Sequence, residues 1–115
     1  MQQSYQIAYL EFPSDNGLRS RKFFEEAFGW AFTSYGPDYT GINDAGIDAG
    51  IDCTDGRVAG PLAVIRTADL AKAEDDVLAA GGVITRPAFD FPGGRRFHFR
   101  EPGGNELAVW VESSG

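Results

Sequence analysis

Shifted by 53 residues, the chain partly overlays on itself. Asn16 falls on Asp69, Ser20 on Ala73, Phe24 on Val77, Ala27 on Ala80 and Gly29 on Gly82. Each copy reads the same way. A short apolar strand ends at a helix-capping residue, an amphipathic helix follows, and a Gly stops that helix before a second strand. Two copies are too few for a solenoid. They suit two βα-type modules packed around one core. Chance is the competing explanation, because the matched residues are apolar or small and recur at helical spacing. A chain of 115 residues is one domain by length. The expected organisation is therefore a single domain over 1–115, with module one at about 5–53 and module two at about 61–113.

Composition narrows the function classes. Hydrophobic residues at 43% and charged residues at 23% are ordinary for a globular chain. No apolar run is long enough to span a bilayer, and the start does not resemble a signal peptide. The single cysteine, Cys53, cannot form an internal disulfide and fits a reducing compartment. A cytoplasmic protein without a membrane partner is expected. The net charge of −7 argues against nucleic acid, whose phosphates need a basic face. Arg95 and Arg96 fall in a Gly-rich turn and make no basic stripe.

Read in order, residues 6–12 are a strand that Pro13 ends. With Leu10 and Phe12 toward the helices, Ile7, Tyr9 and Glu11 face the other way. Ser14, Asp15 and Asn16 supply a cap, and the helix runs to about Phe28 with Leu18, Phe24, Ala27 and Phe28 on its apolar face. Gly29 is its stop. Strands follow at 30–35, 39–43 and 46–52, then a loop over 53–60. Module two repeats the plan. A strand over 61–67 is followed by a helix capped by Asp69, with Leu70, Ala73, Val77 and Ala80 as its stripe, ended by Gly81 and Gly82. Residues 83–85 read as strand and 87–94 as a turn-rich stretch. Strands at 96–100 and 107–112 are joined by the turn Glu-Pro-Gly-Gly-Asn. The sum is βαβββ twice, an α+β fold with mostly antiparallel sheet.

Three segments carry a family resemblance: Tyr-Leu-Glu-Phe-Pro-Ser-Asp-Asn at 9–16, Phe-Phe-Glu-Glu-Ala-Phe-Gly-Trp at 23–30, and Phe-Arg-Glu-Pro-Gly-Gly-Asn-Glu-Leu at 99–107. The chain resembles the vicinal oxygen chelate superfamily. That group includes glyoxalase I, bleomycin-resistance proteins, ring-cleaving dioxygenases and fosfomycin-resistance enzymes. Glu101 stands where the family's turn usually has Asp. The resemblance implies two βαβββ modules whose sheets curl into a cup, helices outside and ligand inside.

The family's enzymes hold a divalent metal with side chains from the first and last strands of each module. Carried over residue by residue, the first-strand positions fall on Tyr9 and Leu62, and the last-strand position of module two falls on Ala108. In the last strand of module one the register is open, with Asp48 the only nearby carboxylate. Leu and Ala cannot ligate, and a divalent ion needs at least three strong donors. The resemblance therefore implies a site without metal and without another cofactor.

The ligand-contacting candidates are Tyr9, Glu11, Asp48, Val64, His98 and Trp110. His98 lies between core-facing Phe97 and Phe99, so its own side chain points away from the helices. It is a candidate base, or else a satisfied structural group. Glu11 is a second candidate base, or a partner for the Tyr9 hydroxyl or for Arg66. Trp110 is a ligand platform, or core or dimer packing. Neither Gly-Gly pair, at 93–94 or 103–104, leads into a helix N-terminus, so neither cradles phosphate. No nucleophile elbow or dinucleotide fingerprint is present.

Two functions of different class follow. One is a metal-free binding protein for a small aromatic or cationic compound, the acidic chain suiting a cation. The other is a lyase, isomerase or dioxygenase-like enzyme using Glu11 or His98, with a metal only if the strand register differs. A homodimer is expected, because Trp30, Phe89, Phe91 and Trp110 are more apolar surface than a small monomer hides.

Overall fold

A computed structural model describes residues 5–113. The elements run β1(Gln6–Pro13), α1(Gly17–Phe28), β2(Ala31–Ser34), β3(Tyr39–Asn43), β4(Asp48–Asp52), β5(Leu62–Arg66), α2(Leu70–Ala79), β6(Val83–Phe91), β7(Gly94–Arg100) and β8(Glu106–Glu112). The fold class is the expected one, α+β with βαβββ twice. Residues 9–62 form one compact unit; residues 63–113 form the other together with 5–8. Strand order is β2-β3-β4-β1 in the first and β5-β8-β7-β6 in the second. In each module the first and last strands run parallel, while the other pairs are antiparallel.

The repeat extends to polar detail. The Asn16 side chain accepts the Arg19 N–H at 3.1 Å, and Asp69 accepts the Lys72 N–H at 3.1 Å. The Ser14 and Thr67 hydroxyls, again 53 residues apart, accept the N–H of these two cap residues at 3.0 and 3.2 Å. Apolar coincidence at helical spacing does not reproduce such contacts, so duplication accounts for them better than chance. The helices differ at their ends. Gly29 closes α1 with φ 74°, whereas α2 is shorter and Gly81, φ 101°, takes the left-handed position.

The strand parities hold. Leu10 and Phe12 pack with Phe24, Trp30 and Phe32 against Ile42, Ala49 and Ile51. In module two Phe97, Phe99, Val109 and Ala73 form the buried centre, with Ile65, Leu70, Val77 and Leu107 against it. Each module thus has one face covered by its helix and one face free of helix.

Helix α1 departs from expectation. The apolar pattern puts Leu18 and Phe28 on its inner face, but they are 80% and 59% exposed, and Ala27 is exposed too. The inner side is Gly17, Ser20, Arg21 and Phe24. The Gly17 backbone lies so close to Cys53 Sγ that a Cβ there would collide. The Ser20 hydroxyl meets that of Ser14 at 2.7 Å. These contacts set the helix rotation and leave only Phe24 to reach the core, stacked between Phe12 and Trp30.

Strand β6 is also longer than expected, running through Pro87 to Phe91. Its ladder with β7 shifts register between Ile84 and Arg86 and again between Arg86 and Phe89. Pro87 sits inside that irregularity on a strand at the end of the order, where its missing N–H removes no ladder bond. Arg95 and Arg96 accordingly belong to β7, not to a turn.

The 101–105 turn works with Glu in place of Asp. The Glu101 carboxylate accepts the N–H groups of Gly103 at 2.6 Å and Asn105 at 3.1 Å, while Gly104 takes φ 100°. These donors hold its carboxyl below the usual range.

Candidate functional site

On module one, Tyr9 and Glu11 project from the helix-free face of β1, and Tyr39 at the start of β3 reaches them. The Tyr39 hydroxyl donates to Glu11 Oε2 at 2.9 Å and meets the Tyr9 hydroxyl at 2.6 Å. Glu11 is 5% exposed. Gly50 stands opposite Glu11 on the β1–β4 ladder. A Cβ on Gly50 would land on both tyrosine hydroxyls, so the absent side chain is the space that they fill. Burial, with a weaker push from the Glu11 charge, raises the pKa of Tyr39 far above its ordinary value; burial also raises that of Tyr9. Both phenols are therefore protonated at neutral pH. With Tyr39 donating to the carboxylate, Tyr9 donates to the Tyr39 oxygen.

On module two, Val64, Arg66, Arg86, Arg96, His98, Ala108 and Trp110 share the helix-free face. His98 stands opposite both Ala108 and Arg86, and Trp110 opposite both Arg96 and Arg66. His98 is 1% exposed. Its Nδ1 lies 3.4 Å from Glu106 Oε2, which also accepts the Thr85 hydroxyl at 2.9 Å. Burial, then the charges of Arg96 and Arg86, lowers the His98 pKa. The ring is thus neutral at pH 7. With Nδ1–H toward the carboxylate, Nε2 carries the lone pair. Nε2 of His98 and Nε1 of Trp110 are both buried, and neither has a hydrogen-bond partner among the described residues.

Rings and guanidinium groups line the same face. Arg86 and Arg96 both lie over the Phe89 ring at 5.6 Å, and Arg96 also lies over Phe91 at 5.5 Å. Phe91 packs on Trp110, and Arg66 covers Trp110 at 5.8 Å while pairing with Glu112 at 2.6 Å. This face is arginine-rich and aromatic, unlike the acidic surface that the net charge suggests. Arg66 takes Glu112 as its partner, and the Glu11 carboxylate takes the Tyr39 hydroxyl.

The ladders settle the open register. Glu11 and Val64 are equivalent by the repeat; Glu11 faces Gly50 and Val64 faces Ala108. Gly50 is therefore the counterpart of Ala108. Asp48, two residues earlier and exposed, is the counterpart of Glu106. The four positions that the resemblance assigns to a metal hold Tyr9, Gly50, Leu62 and Ala108. One phenol with a raised pKa and three side chains without donors do not fit a divalent ion. Among the described residues no three His, Cys, Asp or Glu side chains gather into a set that could hold one.

The sequence-derived residues thus fall into two groups. Tyr9 and Glu11 come together, with Asp48 at the exposed end of the same ladder. Val64, His98 and Trp110 share the other module's face. Sequence reasoning misses Tyr39, Glu106, Thr85, Arg86 and Arg96 as site residues. Glu106 carries a signal, being two residues from Ala108 on the same strand face. Tyr39 carries none, since its place beside Glu11 depends on a strand 28 residues away.

No curated protein matches the chain significantly in sequence. Among solved structures, it is similar to one described as an NAD-dependent benzaldehyde dehydrogenase from Legionella pneumophila (TM-score 0.75, 12% identity, covering 91% of this chain and 98% of that one). It is similar to a methylmalonyl-CoA epimerase (TM-score 0.73, 11% identity, 99% and 100%). It also matches an extradiol ring-cleaving dioxygenase from B. fuscum (TM-score 0.69, 18% identity, 96% of this chain and 34% of that one). At such identities these likenesses show the fold alone, and the differing chemistries leave function to the site. The sequence profile of the glyoxalase/bleomycin resistance protein/dioxygenase superfamily matches residues 6–109. With the repeated βαβββ module and this profile spanning most of its length, the chain belongs to the glyoxalase/bleomycin resistance protein/dioxygenase superfamily.

Proposed function

We propose that the protein binds a small organic molecule on the helix-free faces of its modules, without a metal ion. One observation carries this reading: polar groups are kept in covered positions on those faces, while the metal positions hold none of the required donors. Glu11 with Tyr39 and Tyr9, and His98 with Glu106, are costly to bury unless they are satisfied or used. Aromatic walls with a few polar anchors are what a small-molecule site needs. The protein acts as a homodimer in the cytoplasm, where a lone Cys53 thiol is stable. The test is metal analysis of protein purified without chelator, joined to a thermal-shift screen of small aromatic compounds. Zinc, nickel, iron and manganese well below one equivalent, with saturable stabilisation by a ligand, are expected. One equivalent of metal, lost on Glu11→Ala, would overturn the reading.

A second reading is enzymatic and rests on the Nδ1–Glu106 contact. A carboxylate that orients a neutral imidazole leaves Nε2 as a general base, the arrangement that proton abstraction requires. Turnover abolished by His98→Gln, with ligand binding retained, is its signature.

A further inference from the structure

No residue of helix α1 is fully buried. Its outer side, opposite Gly17, Ser20 and Phe24, carries Leu18, Arg19, Lys22, Phe23, Glu26 and Ala27, and all six are exposed. Phe23, at the middle of the helix, keeps 60% of its surface open. The charges on α1 are ordered as well. Arg19, Arg21 and Lys22 come before Glu25 and Glu26, with no acidic residue in the first turn and no basic residue in the last. The helix dipole favours the reverse order, so in a lone chain this arrangement costs α1 stability. The rings on which the sequence bases a dimer, Trp30, Phe89, Phe91 and Trp110, are instead half-buried.

The geometry points to a second copy of this chain, seated antiparallel on the outer side of α1 about a two-fold axis between Lys22 and Phe23. It rests on the homodimer proposed above and names the surface that forms it. That axis sets Arg19 against Glu26 of the copy and Glu26 against Arg19 of the copy. It sets Leu18 against Ala27, and it lays the Lys22 stem along the Phe23 ring of the copy. Each Arg19–Glu26 pair lies about 5 Å along the helix from the axis, so a small crossing angle leaves both within reach. The exposed Lys22–Glu26 contact within the helix, at 3.8 Å, leaves a carboxylate oxygen for the copy. Antiparallel pairing also brings the basic half of each helix to the acidic half of the other, which offsets the unfavourable charge order. Helix α2 lacks this self-complementarity, since it sets Glu74, Asp75 and Asp76 against Lys72 alone. A 12-residue helix is about 18 Å long, and one such crossing covers less than the roughly 800 Å² per partner of a standard interface. The dimer is therefore of the weak class, with a micromolar dissociation constant.

Sedimentation equilibrium of the whole protein, at concentrations bracketing that constant, tests the pairing through Arg19→Glu and Glu26→Arg. Each change alone turns both pairs into repulsions and should weaken the dimer at least about tenfold. An equimolar mixture of the two variants restores both pairs in the mixed dimer, and the double variant restores them in its own dimer. Both should return to within about threefold of the unchanged protein. Misfolding cannot imitate this pattern, because an acid in the first turn and a base in the last suit the helix dipole. Below the dissociation constant, each single variant should melt no lower than the unchanged protein. If the unchanged protein dimerises and the single variants dimerise equally well, or the mixture stays monomeric, the dimer uses another face and this inference falls alone. If the unchanged protein stays monomeric throughout, the homodimer falls with it.

Discussion

Gly50→Ala is the sharpest probe of module one. The added methyl has no free space, because the hydroxyls of Tyr9 and Tyr39 occupy it. Overpacking of this kind costs about 1–3 kcal/mol. Displacing the 2.6 Å contact between the two phenols adds about 1 kcal/mol. The expected loss is therefore about 2–4 kcal/mol from one methyl at a position that is in-strand and not strained in φ. Tyr39→Phe alone removes the hydroxyl that donates to the Glu11 carboxylate, a charge-assisted bond worth about 1.5–3 kcal/mol. The two changes act on the same atoms, so they do not add. Tyr39→Phe already removes the contact between the two phenols and the shortest clash at Gly50, while the Tyr9 hydroxyl and the ring Cζ of residue 39 still crowd the methyl, so the double variant should cost about 1 kcal/mol less than the sum. Urea denaturation of the four proteins, with slopes compared to confirm two-state behaviour, reads these values. A Gly50→Ala loss below about 0.5 kcal/mol, or strict additivity, refutes the claim that these hydroxyls fill the Gly50 space.

Phe97 is fully buried, and Phe97→Ala should cost about 3–5 kcal/mol by chemical denaturation. Phe28→Ala, at a site 59% exposed, should stay within about 1 kcal/mol, and equal effects would contradict the rotation of α1 described above. The His98 pKa is lowered in the folded protein from 6.5, so the unfolded chain binds that proton more readily. Its stabilising contribution is complete above about pH 6.5 and is lost as pH falls below it. The melting temperature should decline from there, and His98→Asn should flatten that segment of the curve. Loss of the Glu101 turn contacts belongs to the more acidic carboxylate range and is separable from it. Sedimentation at micromolar concentration should give a dimer; a single species at 12.4 kDa would remove the homodimer from the proposal.

How much of the site was legible depends on the range of the contacts involved. Tyr9 and Glu11 were found by alternation on one strand, as were His98 and Trp110, because parity is a property of consecutive residues. Asp48 shows the limit of that method. Its strand was recognised but its register was not, and a shift of two residues separates an exposed carboxylate from the true counterpart of Ala108. Tyr39 and Glu106 escaped because their roles come from pairing between strands. Pro87 misled for a related reason: the residue reads as a strand breaker until its place on an edge with a bulge is known.

The sequence by itself determined the repeat, both helix caps, the strand faces and the family, since each is written in local spacing or in motifs that local spacing preserves. It also determined that Leu62 and Ala108 cannot ligate a metal. Only the tertiary structure decided the rotation of α1, where backbone contact at Gly17 outweighed the apolar pull of Leu18 and Phe28. It alone placed Tyr39 over Gly50 and Glu106 beside His98. It also gathered Arg66, Arg86 and Arg96 on one face of an acidic chain. Hydrogen-bond chains and charged faces are assembled by ladders between distant strands, and no window of neighbouring residues encodes which strand lies beside which.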